Sequence, residues 1–271
     1  MASFPAPLTT GNTRVKNARK LARRSFRAES RLFLADGPKA VEGALRVPGC
    51  VTEVFATDAA SGQYVALRDA VAAAGIAWTP VEDRALASVS DAVTPAGVVA
   101  VCRFVDRPLE HVLPADDPTR RLVAICADVR DPGNAGTVIR TADAAGADAV
   151  LLAGSSVDAY NPKTVRATVG SLFHLPLAVV PDPAEAVRAA QAAGLVVLAA
   201  DGAGEADLFA SEDLLAQPTA WLFGNEAWGL PDELAALADH RVRIPIHGRA
   251  ESLNLSTAAA VCLYASARAQ R

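Results

Sequence analysis

Three short stretches gather side chains of the kind that hold polar ligands or handle protons. The first runs Asp-Val-Arg-Asp-Pro-Gly-Asn-Ala-Gly-Thr-Val-Ile-Arg from Asp128 to Arg140. Pro132 and Gly133 turn the chain, Asn134 can cap a helix, and that helix carries Arg140. Six residues advance an α-helix by about 600°, so Asn134 and Arg140 share a direction only if Asn134 precedes the regular helix. A turn, a cap and a surface arginine would account for the same residues. The second stretch, Leu222 to Pro231, sets Gly224 and Gly229 around Asn225, Glu226 and Trp228. Its glycines permit close backbone approach to a ligand. A plain turn explains the glycines, but less easily Asn225 and Glu226 beside Trp228. The third, Arg243 to Ala260, crowds Ser252, Asn254, Ser256 and Thr257 at a helix start, where unsatisfied N–H groups favour anionic or polar ligands. Capping requires only one or two of them.

Each stretch directly follows an apolar, strand-like run. The second half of the chain alternates such runs (Leu122 to Ala127, Ala149 to Ala153, Leu177 to Val180, Leu195 to Ala200, Ala220 to Phe223, Val242 to Ile246) with helical patterns. The helices are expected near Gly136 to Ala145, Ala184 to Ala193, Pro231 to Leu237 and Ser256 to Arg268. This alternation predicts an α/β fold with a largely parallel sheet covered on both faces, and such sheets bind ligands at the carboxyl ends of their strands. The first half predicts a smaller α/β unit. Its strands fall at Arg31 to Ala35, Val51 to Thr57 and Gly97 to Phe104, with helices from Gly37-Pro38 to Arg46 and from Gln63 to Ala74. Between the halves the composition turns to Pro and Asp, so residues 107–119 read as a linker separating domains 1–106 and 120–271.

A chain of 271 residues with 51% hydrophobic and 21% charged residues sits in the globular range. No apolar run approaches the roughly 18 residues of a membrane span, and Met1 to Gly11 lacks the pattern of a signal peptide, so a cytoplasmic protein is expected. Cys50, Cys102, Cys126 and Cys262 are widely spaced and the four histidines show no ligand spacing; reduced thiols and no metal are expected. The net charge of −4 is unevenly spread: residues 1–46 hold ten Lys or Arg against three acids. Arg14, Lys16, Arg19, Lys20, Arg23, Arg24, Arg27 and Arg31 fall on and just after a helical stretch. Several can face a phosphate backbone together, and a solvated helix face is the competing explanation.

The three stretches, in this order and near the end of the chain, resemble the three motifs of the SpoU branch of the SPOUT RNA methyltransferases. The resemblance spans about Leu122 to Ala267, and Ser-Leu-Asn-Leu-Ser-Thr-Ala-Ala-Ala from Ser252 is its most specific part. More weakly, Asn17 to Leu45 is similar to the ribosomal-protein-like RNA-binding domain that often precedes this fold. The resemblance implies a deep trefoil knot, a homodimer built through the C-terminal domain, and S-adenosylmethionine-dependent methylation of a ribose 2′-hydroxyl in RNA. It further implies a catalytic set of Asn134, Arg140, Glu226, Ser252 and Asn254. Gly224, Ile244 and Leu253 would meet the cofactor, with Ala200 and Asp201 lining the same pocket. Arg19, Lys20, Arg23 and Arg24, with Arg166 beside Asn161-Pro162-Lys163, are the candidate RNA contacts; Arg166 is equally readable as an exposed helix arginine.

A ribose hydroxyl loses its proton as the new bond forms, which requires a base or a charge stabiliser. The family assigns that role to the arginine at position 140, yet a guanidinium stays protonated with a pKa above roughly 12. Clamping a phosphate and stabilising the developing alkoxide suits it better. Rival readings are weaker. Asp201-Gly-Ala-Gly204 resembles the cofactor loop of Rossmann-type methyltransferases, but the 66 residues after Glu205 are too few for the rest of that sheet. No phosphate-binding Gly-x-x-x-x-Gly-Lys-Ser/Thr loop occurs. An inactive RNA-binding or ribosome-assembly protein would have no catalytic reason to keep all five candidate residues. The additional N-terminal domain points to 23S ribosomal RNA as substrate, with tRNA as the alternative.

Overall fold

The computed structural model describes residues 6–115 and 119–271. Two compact units emerge from it. The first takes the chain up to Val105 together with Tyr160–Phe173, and the second comprises Asp106–Ala159 and His174–Arg271.

The first unit is built on strands β1 (Leu32–Asp36), β2 (Val51–Ala56), β3 (Trp78–Pro80) and β4 (Val98–Arg103) in the order β1-β4-β2-β3. β4 runs antiparallel to both neighbours and β3 runs parallel to β2. The helix Thr13–Lys20 begins at Asn12, whose side chain accepts from Arg14 N–H at 2.9 Å. Val15, Ala18 and Leu21 recur every three residues, so one stripe of this segment packs with Leu34, Phe55 and Val99. Its polar faces are left to the basic residues. Arg27 departs from that pattern: it is 2% exposed, and its guanidinium donates to the carbonyls of Leu21 and Ala22 at 2.8 and 2.9 Å. It satisfies the end of the preceding helix and does not face solvent with the other cations. The helix expected over Gln63 to Ala74 is two, Asp58–Gln63 and Val65–Ala73, broken at Tyr64, whose φ/ψ of −108°/50° is not helical. The helix Pro162–Thr168 and a short 3-10 turn at Ser171–Phe173 complete the unit, with Tyr160 stacked on Phe104 at 3.7 Å and close to Phe33 at 4.6 Å.

The second unit carries strands β5 (Leu122–Ala127), β6 (Ala149–Ala153), β7 (Leu177–Val180), β8 (Val196–Ala200), β9 (Ala206–Asp207), β10 (Thr219–Phe223) and β11 (His240–Arg243). They form one parallel sheet in the order β7-β6-β5-β10-β8-β11-β9. From β5 the chain steps outward to β6 and β7, then crosses to β8. It later returns to insert β10 between β5 and β8. Strands β5, β6 and β10 are buried throughout, as a sheet covered on both faces requires. On one face the helices Pro132–Ala145 and Leu255–Ala269 pack together. The latter buries Ala259, Cys262, Leu263, Ser266 and Ala267 at helical spacing. Ser266 Oγ, fully buried, accepts from Trp221 Nε1 at 2.9 Å and so satisfies the indole in the core. On the other face lies the helix Pro183–Ala192.

Two further stretches differ from the sequence reading. Leu109–Val112 is a short helix, and Val112 with Leu113 is buried in the second unit's core, because apolar side chains there complete the layer over Val187 and Ala190. Residues 116–118 of that stretch lie outside the described residues. β11 ends at Arg243 and not at Ile246, since Pro245 has no N–H to continue a ladder.

Candidate active site

The parallel sheet brings the loops after β5, β10 and β11 to one edge. After β5 the side chain of Asp131 accepts from Asn134 N–H at 2.8 Å and caps the helix, with Pro132 in its first turn. Asn134, the cap expected from sequence, is therefore inside the helix. Its side chain is freed for longer-range contacts.

Those contacts tie the three loops together. Glu226, after β10, accepts at Oε2 from Arg130 N–H at 3.1 Å and at Oε1 from Asp131 N–H at 3.0 Å and Asn134 Nδ2 at 3.1 Å. Asn134 Oδ1 accepts from Asn254 Nδ2 at 3.1 Å. Asn254 Oδ1 in turn caps the helix Leu255–Ala269, accepting from Ser256 N–H at 2.9 Å and Thr257 N–H at 3.4 Å. A carboxylate can only accept and a backbone N–H can only donate, so the two ends of this chain dictate how both amides point. Ser256 and Thr257, part of the apparent surplus of polar groups, serve the cap; Ser256 Oγ donates to Asn254 Oδ1 at 2.7 Å. Burial pushes the Glu226 carboxyl up, but hydrogen bonds from Arg130 N–H, Asn134 and Asp131 N–H outweigh it and hold the group below its ordinary value. It is a permanent acceptor near neutral pH.

The loop bearing Glu226 is a tight hairpin. Asn225 and Gly229 exchange two backbone hydrogen bonds of 2.9 Å, and Gly229 has φ +70°. A Cβ on Gly224 would lie 2.4 Å from the carbonyl carbon of Gly229, so only glycine lets the hairpin fold back. Asn225 is buried and donates from Nδ2 to the carbonyl of Asp128 at 2.7 Å. Asp128 itself has φ +55° and accepts from Ser155 N–H at 2.7 Å. Neither belongs to the set of site residues expected from sequence. Asn225 carried the signal of a turn asparagine beside glycines, whereas nothing local marks the backbone of Asp128.

Beside this network opens a cavity of about 320 Å³, within the range of small-molecule and cofactor sites. Ala200, Asp201, Gly224, Ile244 and Leu253 all line it, as do Glu226 and Ser252. Asp201 is not free: Arg241 Nε donates to it at 2.9 Å, and Ala203 N–H at 2.9 Å. Burial raises its carboxyl, but the Ala203 N–H and Arg241 outweigh that and leave it lowered. Asn134 and Asn254 do not line the cavity; Asn134 is bonded to the lining residue Glu226, and Asn254 to Asn134. Arg140 does not line it. Helical from Pro132 onward, the chain puts Arg140 about 240° around from Asn134, exposed to solvent. Near the cavity Cys126 is buried beneath Glu226, and desolvation with that negative charge pushes its thiol to about 12. A thiolate nucleophile has no place here.

In the first unit, Arg19, Lys20, Arg23 and Arg24 are exposed, with Lys20 Nζ 5.4 Å from the Phe26 ring. Arg166 is partly buried and ion-paired with Asp91 at 2.9 Å. Among the described residues no cluster of His, Cys, Asp and Glu could hold a metal, and no helix is long and apolar enough to cross a membrane.

A parallel α/β sheet with a polar cavity at its carboxyl edge, framed by three loops cross-linked through Glu226, Asn134 and Asn254, defines an α/β protein with a small-ligand site where such folds bind their ligands. The chain belongs to the SpoU rRNA methylase family, whose model matches residues 121–264. Residues 12–100 match the MRM3-like substrate binding domain. Over 255 residues the chain is 33% identical to the 23S rRNA (guanosine(2553)-2′-O)-methyltransferase RlmP of Bacillus subtilis, covering 93% of this chain and 95% of that protein. Among solved structures, the AdoMet-bound rRNA methyltransferase of Sinorhizobium meliloti superposes with a TM-score of 0.82 at 35% identity, covering 95% of each chain. The SpoU methyltransferase AviRb of Streptomyces viridochromogenes gives 0.83 at 30% identity, covering 96% of this chain and 98% of that one.

Proposed function

We infer that this protein is a 23S rRNA methyltransferase that transfers a methyl group from S-adenosylmethionine to a ribose 2′-hydroxyl. The observation that carries the reading is the Glu226–Asn134–Asn254 chain at the rim of the cavity, because it joins the three loops whose sequences define the family. Relatives matched along nearly the whole chain include rRNA methyltransferases, one of them AdoMet-bound.

The cavity suits the cofactor. Ile244 and Leu253 offer apolar contact for an adenine ring, while the strand ends at Ala200, Asp201 and Gly224 supply backbone groups for its polar edges. Bound there, S-adenosylmethionine supplies an electrophilic methyl group. The remaining work falls to this chain. Glu226 and Asn134 hold the rim rigid, and Ser252, which lines the cavity, and Asn254 position the nucleotide. Holding the reacting atoms in line supplies a large share of such catalysis. Arg140 stabilises the alkoxide that develops at the 2′-oxygen and clamps the adjoining phosphate, while the proton leaves to phosphate or water. Because Arg140 lies away from the cavity of its own chain, the homodimer implied by the family resemblance supplies the means of bringing it to a site. The 1–106 domain recognises the RNA through Arg19, Lys20, Arg23 and Arg24, Arg166 adds a further contact from outside that segment, the 120–271 domain is catalytic, and 107–119 joins them. The C-terminal segment carries the family's trefoil knot, and the enzyme works in the cytoplasm.

The test is direct. Purified protein is incubated with unmodified 23S rRNA transcript, tRNA and S-adenosylmethionine, and 2′-O-methylated nucleotides are mapped by mass spectrometry. A single methylated ribose in the 23S transcript is expected. Methylation of tRNA alone, or cofactor binding with no methylated product, overturns the assignment.

A further inference from the structure

Next to Glu226, outside the cavity, stands an aromatic residue that the proposed mechanism does not use. Trp228 is 59% exposed at the tip of the Asn225–Gly229 hairpin, whereas the other tryptophan of this unit, Trp221, is completely buried with its N–H satisfied. Its neighbours in sequence, Ala227 and Gly229, line the cavity, so the indole sits at the rim. The guanidinium of Arg130 lies 5.9 Å from the ring centroid, and Arg130 N–H donates to the Glu226 carboxylate. The Glu226 carboxylate thus fixes the backbone beneath Arg130, and Trp228 follows Glu226 by two residues in the same hairpin. Leaving a large apolar ring in water is unfavourable for a free protein, and a ring with a cation beside it is the arrangement by which proteins hold unstacked bases.

We propose that Trp228, steadied by Arg130, is the platform on which the base of the target nucleotide stacks while its ribose enters the cavity. This rests on the 2′-O-methyltransferase reading above. A nucleotide in a duplex cannot present its sugar to a pocket at the foot of a hairpin and its base to an indole beside it. The substrate nucleotide is therefore unpaired in the RNA or drawn out of its stack on binding. Because every base has a π face, the platform tolerates sequence and selects for accessibility, leaving identity to other contacts.

The experiment uses the full-length protein and the 23S rRNA fragment carrying the mapped methylation site. W228A is expected to raise KM for that RNA about tenfold, equivalent to ~1.4 kcal/mol at 25 °C, with the affinity for S-adenosylmethionine measured by calorimetry unaltered. W228F, which retains an aromatic face, recovers most of the loss. RNA binding should also protect the exposed indole from acrylamide quenching, an effect absent in W228F and independent of turnover. If wild-type protein methylates the fragment and W228A does so with unchanged KM and no protection is seen, the stacking role is wrong while the enzyme assignment stands. If sedimentation shows that W228A alters the oligomeric state, the indole covers a subunit contact and the proposal fails. Absence of methylated product from wild-type protein instead overturns the enzyme assignment.

Discussion

Asn254 donates its side-chain amide to Asn134 across 120 positions of sequence, at 3.1 Å, and the same Asn134 donates onward to Glu226. Each member has a second task in its own loop: Asn254 caps a helix, and Glu226 gathers the backbone N–H groups of Arg130 and Asp131. The rim of the cavity is consequently one hydrogen-bonded unit, and disturbing one loop disturbs the others.

The Glu226 carboxyl is lowered from the ordinary 4.5, because its hydrogen-bond donors outweigh its burial. A depressed folded-state pKa contributes stability that is present above the unfolded value and lost as pH falls through the folded one. The urea midpoint of E226Q should therefore lie below that of wild type at pH 7. The gap should narrow progressively below about pH 4.5. An equal gap at pH 7 and pH 3.5 would detach the carboxylate's charge from the rim.

Gly224 and Gly229 predict unequal effects of the same change. A Cβ at Gly224 meets backbone of Gly229 and Leu230 at 2.4 to 2.6 Å, atoms that move only if the hairpin opens. G224A should lose about 1–3 kcal/mol of stability and at least tenfold in cofactor affinity by calorimetry. At Gly229 nothing lies within 4 Å, and only its positive φ opposes a side chain. G229A should lose about 1 kcal/mol and retain cofactor binding.

Arg140 is exposed in its own chain, so R140A should leave thermal stability within about 0.5 kcal/mol of wild type. Turnover should nevertheless fall at least a hundredfold. R140K keeps the charge but not the planar fork that grips a phosphate, so it should recover little. Near-wild-type turnover of R140K would refute the clamp.

Replacing Arg19, Lys20, Arg23 and Arg24 together by Ala should weaken RNA binding and lower the slope of log K against log salt by about one for each phosphate that is no longer neutralised. Filter binding at several salt concentrations reads this out. An unchanged slope would make these residues a solvated helix face.

Much of the sheet was legible beforehand. Strands β5, β6 and β7 are apolar runs bounded by turns, and their predicted limits coincide with the observed ones. Apolar character alone carries β11 through Pro245 to Ile246, because it does not reveal where a ladder stops. Arg27 read as one more cation on a basic face, and only the packed unit shows it turned inward onto two carbonyls. Val112 and Leu113, in a stretch rich in Pro and Asp, looked exposed until a core supplied partners for them.

Local chemistry in the chain marks candidate residues: turn glycines, capping groups and a stranded carboxylate follow from neighbours a few positions away, and so does membership of a family. Which of them touch was decided by strand order. Placing β10 between β5 and β8 carries Glu226 to Asn134, and the helix after β11 returns Asn254 to the same point. Sequence spacing holds no record of that convergence. Whether Arg140 shares a direction with Asn134 likewise depends on where the helix begins: with Asp131 as the cap, Asn134 is already helical and the two side chains point apart.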